Sequence, residues 1–463
     1  MDFIMTDTSL ADLDRQHLIH PVSNFRTHEK RGPTILASGR GAWLRDDQGR
    51  ELLDAFSGLW CVNTGYGQES IVAAATEQMR RLPYATGYFS FSSEPAIELA
   101  ARLVELAPAS LRHVYFTMGG SDAVDASLRY ISYYNNSRGQ PQRDQFISLQ
   151  RGYHGSSSVG AGLTALPVFH RHFNLPQPNQ HYLPSPYAYR SPVGDDPQAL
   201  IAASVADLRA KVAELGADRV AAFFCEPIQG SGGVVVPPKG WLKAMADACR
   251  ELGILFVVDE VITGFGRTGP LFACAAEEVQ PDMMTLAKGL TAGYAPMGAL
   301  MMSDAIYQSI ADGAGPDIVV GHGQTYSAHP VSAAIGLEVL RLYHEGGLLA
   351  NGAAQTPLFE GGLRALLDHP LVGDARSRGL LGALELVADK DSKRQFDPAL
   401  RLHERITAAA YENRLIFRAF GDNILGFAPA LCYTADEFAI MFERLKNTLD
   451  QVLEQPEVRR AVA

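Results

Sequence analysis

Lys288 is a lone ammonium in the run DMMTLAKGL, where every other side chain after Asp282 is apolar, small or hydroxyl. Burying a charged amine without a partner costs roughly several kcal/mol, so such a lysine sits with a lowered pKa. A neutral amine at an apolar strand end is the form that attacks a carbonyl to make a Schiff base. Upstream, the run ILFVVDEV carries an equally isolated acid, Asp259. A carboxylate opposite a pyridine nitrogen keeps that nitrogen protonated and makes the ring an electron sink. The pair, in this order, points to pyridoxal phosphate (PLP) chemistry. Taken singly, each residue has a plainer use: Lys288 could pair with Glu226 or Asp259, and Asp259 with Arg267 of TGFGRTG.

The elements that must position these two residues alternate. HVYFTM reads as a buried strand, followed by glycines and the helical segment SDAVDASLRYISYY. DQFISLQ, RVAAFFCEP, ILFVVDE, PDMMTLAKG and MGALMMS are further strands. DPQALIAASVADLRAKVAELG and GWLKAMADACRELG are helices between them. Strands alternating with helices imply right-handed crossovers and a largely parallel sheet, covered on both faces. Near the start, GAWLRDDQGRELLD reads as a hairpin. The Pro-, Tyr- and His-rich stretch 167–196 reads as an irregular loop, and HPVSAAIGLEVLRLYHEGGLLA as one long helix. Beyond about Pro330 strands such as GLLGALELVA, LIFRAF and NILGFAPAL belong to a smaller α+β unit. The expected division is an N-terminal segment 1–60 joining the small domain, a large domain 61–330, and a small domain 331–463.

Ligands of open α/β sheets bind outside the carboxyl ends of the strands. Four strands deliver polar residues there: Gly119, Gly120 and Ser121; Glu226; Asp259; and Lys288. The glycine turn before SDAVDAS makes a helix N-terminus suited to a phosphate, with Ser121 adding a hydroxyl; the plainer reading of Ser121 is a helix cap. RGYHG follows another strand and puts Tyr153 and His154 at the same edge, where a flat ring can cover one face of a pyridine. Val261 supplies a β-branched side chain for the other face by strand alternation. GFGRTG matches a dinucleotide fingerprint without the βαβ context it needs. His170 and His172 in HRH lack a further ligand at metal spacing, and no metal site is expected.

The balance of 51 acidic against 40 basic residues, net charge −11, argues against a nucleic-acid or anionic-membrane partner. The five cysteines are scattered, as free thiols are in a reducing compartment. The start MDFIMTDTSLADLDRQH has neither the basic head nor the apolar stretch of a signal peptide, and no apolar run approaches about 18 residues. The expected location is the cytoplasm.

Read together, GLWCVNTGYG, RGYHGSS, CEPIQGSGG, FVVDEVITGFGRTG, LAKGLTAGYAPMGA and TYSAHP resemble the class III aminotransferases, PLP enzymes of fold type I. The resemblance runs from about Thr34 to about Leu445, and is nearest the ω-amino acid and amine:pyruvate transaminases. It implies a large domain with a mostly parallel sheet flanked by helices, plus a smaller α+β domain. Lys288 would carry the cofactor, Asp259 would face its ring nitrogen, and Tyr153 would stack on the ring. Val261 and Glu226 would complete the cofactor contacts, with Gly120 and Ser121 on the phosphate. Thr325 would reach that phosphate from the second subunit of a homodimer, or of a tetramer built from dimers. Trp60, Tyr88, Phe89 and Ser231 would border the substrate, Tyr88 and Phe89 from the partner chain. Arg418 resembles a mobile arginine that binds a substrate carboxylate and swings away for other substrates. Two positions depart from family patterns. The turn usually reading SGSE is Gly119-Gly120-Ser121-Asp122, and Ile262 stands where the ornithine and GABA branches have Gln.

The implied reaction is ping-pong transfer of an amino group from an ω-amino acid, diamine or primary amine to pyruvate, giving an aldehyde or ketone and L-alanine. An aminomutase, racemase or decarboxylase on the same fold is the alternative, and would need no keto acceptor. A non-catalytic module of this fold would carry an added partner-binding segment, of which the sequence shows none.

Overall fold

The computed structural model describes residues 8–315 and 317–462; the first seven residues of the N-terminal segment read above lie outside this range. Its centre is a seven-stranded sheet: β1 (Leu111–Thr117), β2 (Gln145–Leu149), β3 (Gln180–Leu183), β4 (Val220–Cys225), β5 (Leu255–Asp259), β6 (Met283–Leu286) and β7 (Gly298–Ser303). The spatial order is β1-β7-β6-β5-β4-β2-β3. All neighbours run parallel except β7, antiparallel to both β1 and β6. The expected α/β class holds, with this one reversed strand.

β2, β4, β6 and β7 are buried along their whole length. Alternation divides their side chains between two cores. Phe224, Val257, Met283 and Leu300 pack with Val124, Leu128 and Ile131 of the helix Gly120–Ser137. Phe223, Phe256, Val258, Met284 and Met301 pack on the opposite side with Trp241 and Met245 of the helix Trp241–Leu252. A sheet sandwiched in this way must be apolar on both faces, which is why its strands read as continuous apolar runs.

Three expectations change. The stretch 167–196 is not wholly irregular: it contains β3, four residues that pair parallel with β2 at the sheet edge. The long helix is two helices, Pro330–His344 and Leu348–Ala365, broken where Gly347 takes φ +75. The segment LIFRAF is split between two sheets. Leu415–Ile416 pairs parallel with Glu51–Asp54 of the N-terminal hairpin, while Arg418–Ala419 pairs antiparallel with Ile424–Phe427. The latter sheet also contains Val372–Arg378 and Leu381–Leu386. The N-terminal hairpin itself forms as read, from Trp43–Asp46 and Glu51–Asp54. Among the described residues no helix is long and apolar enough to cross a membrane.

Candidate active site

Strand register brings the site together. Cys225 pairs with Val258, and Asp259 with Thr285, so the ends of β4, β5 and β6 lie side by side. Because β7 is reversed, its first residue Gly298 faces Thr117 at the end of β1. A Cβ on Gly298 would lie 2.4 Å from the carbonyl oxygen of Gly119, so only glycine lets the turn before the helix approach this closely. The result is a cavity of about 380 Å³ walled by Gly119, Gly120, Ser121, Tyr153, His154, Glu226, Asp259, Val261 and Lys288.

Lys288 follows β6 with a left-handed backbone, φ +42. A non-glycine residue held there stores backbone strain of about 1–3 kcal/mol, which the surrounding packing must overcome. Among the described residues its Nζ makes no hydrogen bond or ion pair, so neither Glu226 nor Asp259 is a salt-bridge partner. Burial pulls its pKa below the ordinary lysine value, although the charges of Asp259 and Glu226 oppose this.

Asp259 is buried, and its Oδ2 lies 2.8 Å from Nδ1 of His154, itself buried. Its Oδ1 accepts from the amide of Val261. Arg267 does not pair with it: that guanidinium donates to Asn63 and to the Pro429 carbonyl. Burial alone would lower the His154 pKa, but the hydrogen bond and charge of Asp259 outweigh it and raise it. His154 Nε2 is sealed and unpartnered. The sequence placed this histidine at the edge without assigning it this role.

Glu226 spends both oxygens on the backbone: Oε1 accepts from Tyr153 and Oε2 from Gly230, each at 2.9 Å. It therefore ties the loop carrying Tyr153 to the turn carrying Ser231. Burial pushes its pKa up to about 7. Ser121 is not a cap; it lies inside the first turn, and its Oγ accepts from the amide of Ser156. The first amides of that helix have no intrahelical acceptor and open toward the cavity as anion donors. Val261 reaches the cavity from the turn after β5 rather than by strand alternation.

Residues without an assigned role in the sequence also form the wall, among them Thr291, Tyr294 and Pro296 of the loop after Lys288. Ile262 belongs both to this wall and to an apolar cluster with Trp60, Phe56, Ile228 and Phe420. Trp60 stacks on Phe420 at 6.2 Å, and the Arg418 guanidinium lies 5.5 Å over the Phe420 ring. Trp60 thus adjoins the cavity through Ile262, while Ser231 and Arg418 are not part of its wall. Tyr88, Phe89 and Thr325 lie away from it, on the surface, with Phe89 86% exposed.

The chain matches the family Aminotransferase class-III over residues 26–449. It is 37% identical to the putrescine–pyruvate aminotransferase of Pseudomonas aeruginosa over 441 residues, covering 95% of each chain. It is likewise 37% identical to the diaminobutyrate–2-oxoglutarate transaminase of Halomonas elongata, covering 96% of this chain and 97% of that one. A solved ω-transaminase of Pseudomonas jessenii, in complex with PMP, superposes with TM-score 0.94 at 37% identity over 96% of this chain and 98% of that one. This chain belongs to the class III aminotransferases and is a PLP-dependent transaminase, moving amino groups between an amine donor and a keto-acid acceptor. The residues present suit that cofactor: an unpartnered amine for its aldehyde, a braced carboxylate for its ring nitrogen, and open helix amides for its phosphate.

Proposed function

We propose that the chain transfers an amino group from an ω-amino acid, diamine or primary amine to pyruvate, releasing an aldehyde or ketone and L-alanine in a ping-pong sequence. One observation carries this reading: the free Lys288 amine and the His154-braced Asp259 meet in one cavity beside a helix N-terminus. When bound, PLP supplies an aldehyde that ties amines covalently and a ring that accepts the charge left on the donor carbon. Lys288 would hold the cofactor through Nζ and would move a proton at the donor carbon, and burial favours its neutral amine over the ammonium. Asp259 would hold the ring-nitrogen proton. Tyr153 and Val261 would border the ring, Gly120 and Ser121 would hold the phosphate, and Glu226 fixes the loop of Tyr153.

Acceptor choice rests on which cations are free. Arg151 and Arg376 both donate to carbonyls of the glycine turn 232–234, and both are already paired, with Asp422 and with Asp374 and Glu385. Arg418 has no ion pair among the described residues and rests on an aromatic face. One unpaired guanidinium on the face of Phe420, a ring that itself packs with Trp60 and Ile262, fits a keto acid with one carboxylate. A donor panel run against pyruvate and 2-oxoglutarate tests this, with alanine expected as the main product. Glutamate formation exceeding alanine would overturn the acceptor, and product made without any keto acid would favour an isomerase.

Arg418→Ala is expected to raise the KM for pyruvate about 10–100-fold, the worth of a charge-assisted hydrogen bond. The KM for an amine lacking a carboxylate should stay within about twofold by the same reasoning. Equal effects on both would remove Arg418 from carboxylate binding. Gly120→Ala should weaken PLP retention roughly tenfold in apoenzyme reconstitution, since a Cβ there would sit 3.0 and 3.1 Å from the Val261 methyls. Unchanged affinity would show that Val261 yields freely.

We further read the active enzyme as a homodimer. Tyr84 donates to the Thr325 carbonyl and packs on Tyr326, and Tyr88, Phe89 and Phe91 stay exposed beside them. An aromatic patch of this kind marks an interface, through which Thr325, Tyr88 and Phe89 would serve the neighbouring cavity. Pairing of Leu415–Ile416 with Glu51–Asp54 supports assigning residues 1–60 to the small domain with 331–463, and 61–330 to the large one. Five free thiols accord with a cytoplasmic location.

A further inference from the structure

Far from the cavity in sequence, the segment 8–32 brings three metal-ligating side chains to one point. Asp14 lies on the helix Leu10–His17, His28 on the helix Phe25–Arg31, and His20 between them. Their ligand atoms all fall within 4.8 Å of one another, the only such group of His, Cys, Asp and Glu among the described residues. His20 Nε2 is 2.8 Å from Asp14 Oδ2, and His28 Nε2 is 2.8 Å from Asp14 Oδ1. The two imidazole centroids are 4.4 Å apart.

Protons alone satisfy this arrangement poorly. Asp14 Oδ1 and His28 Nε2 are sealed from solvent and make no hydrogen bond, despite their contact. Nor does packing explain the convergence, because neither helix has a buried residue. The neighbouring cation, Arg15, is committed to Asp12. A divalent cation resolves all of this, since it takes both imidazoles neutral and the carboxylate ionised.

We propose that Asp14, His20 and His28 bind one zinc ion that staples the two N-terminal helices together. Two imidazole nitrogens and one carboxylate oxygen are a ligand set suited to zinc, with water in the fourth position. Bonds of about 2.0–2.1 Å place tetrahedral ligand atoms about 3.3 Å apart. The His20–Asp14 and His28–Asp14 contacts of 2.8 Å would each open by about 0.5 Å to reach that spacing.

The test uses full-length, untagged, PLP-loaded enzyme stripped of metal and dialysed against zinc chloride. One zinc per chain is expected. Asp14→Asn, His20→Ala and His28→Ala should each weaken retention by at least about 10–100-fold, the scale already seen on losing a group that only supports a metal ligand. Cobalt substitution should give ligand-field absorption of a nitrogen and oxygen site, without the thiolate charge transfer that the free cysteines would produce. Zinc should also slow protease cleavage within residues 8–32 of the wild type but not of the variants. No retained zinc, thiolate bands, or equal stoichiometry in all three variants would overturn the site.

Discussion

Lys288→Ala should lose at least about 10³–10⁴-fold in turnover, the scale of a positioned general acid–base group, with its covalent role lost as well. Nothing nearby can replace it. Glu226 has both oxygens engaged with backbone amides, and Asp259 is held by His154 and the Val261 amide. Lys288 alone in the cavity is a group of amine type, free of partners and kept deprotonation-prone by burial. Borohydride treatment of wild-type holoenzyme followed by peptide mass spectrometry should find the cofactor fixed to position 288, and not in the variant. The variant should still fold, because removing an unpaired amine relieves its desolvation, while the Cβ that alanine keeps leaves the backbone at position 288 as it is. A variant with wild-type turnover would remove Lys288 from catalysis.

Asp259→Ala should cost about 10²–10³-fold in turnover, comparable with losing one preorganised electrostatic contact. It should also destabilise the fold by about 3–5 kcal/mol, since one partner of a buried pair is left alone. The direction of the His154 titration separates this from general damage. In the native protein Asp259 holds the imidazole above its ordinary pKa against the opposing effect of burial. Without that carboxylate, burial is opposed only by the smaller effect of the Glu226 charge, and the His154 pKa should fall. Histidine NMR titrations of the two proteins measure this. A His154 pKa unchanged by the substitution would mean that the contact carries no electrostatic coupling.

The strand ends that gather the site are legible in the sequence because a covered parallel sheet writes itself as apolar runs ending in isolated polar residues. Lys288, Asp259 and Glu226 stand out for that reason, and the register of β4, β5 and β6 places them side by side. Strand direction is written far less clearly. β7 is as continuously buried as the parallel strands β4 and β6, and only its pairing reveals that it is reversed. The short edge strand β3 hides in a Pro- and Tyr-rich context because four residues carry little pattern.

His154 escapes for another reason: its partner lies 105 residues away in sequence, and only folding joins them. Val261 reaches the cavity through a turn whose geometry no alternation rule contains. The zinc group is invisible to motif spacing because Asp14, His20 and His28 follow no standard ligand interval and rely on two short helices meeting.

The parallel pairing of Leu53 with Leu415 has a consequence for biosynthesis. Joining segments roughly 360 residues apart carries a chain-closure entropy that grows to about 5 kcal/mol, beyond a constant. On the ribosome, the hairpin carrying Leu53 must wait for roughly 360 further residues before its last neighbour exists. The central sheet, complete by Ser303, can assemble meanwhile. A hairpin made before the central sheet is therefore secured only after it.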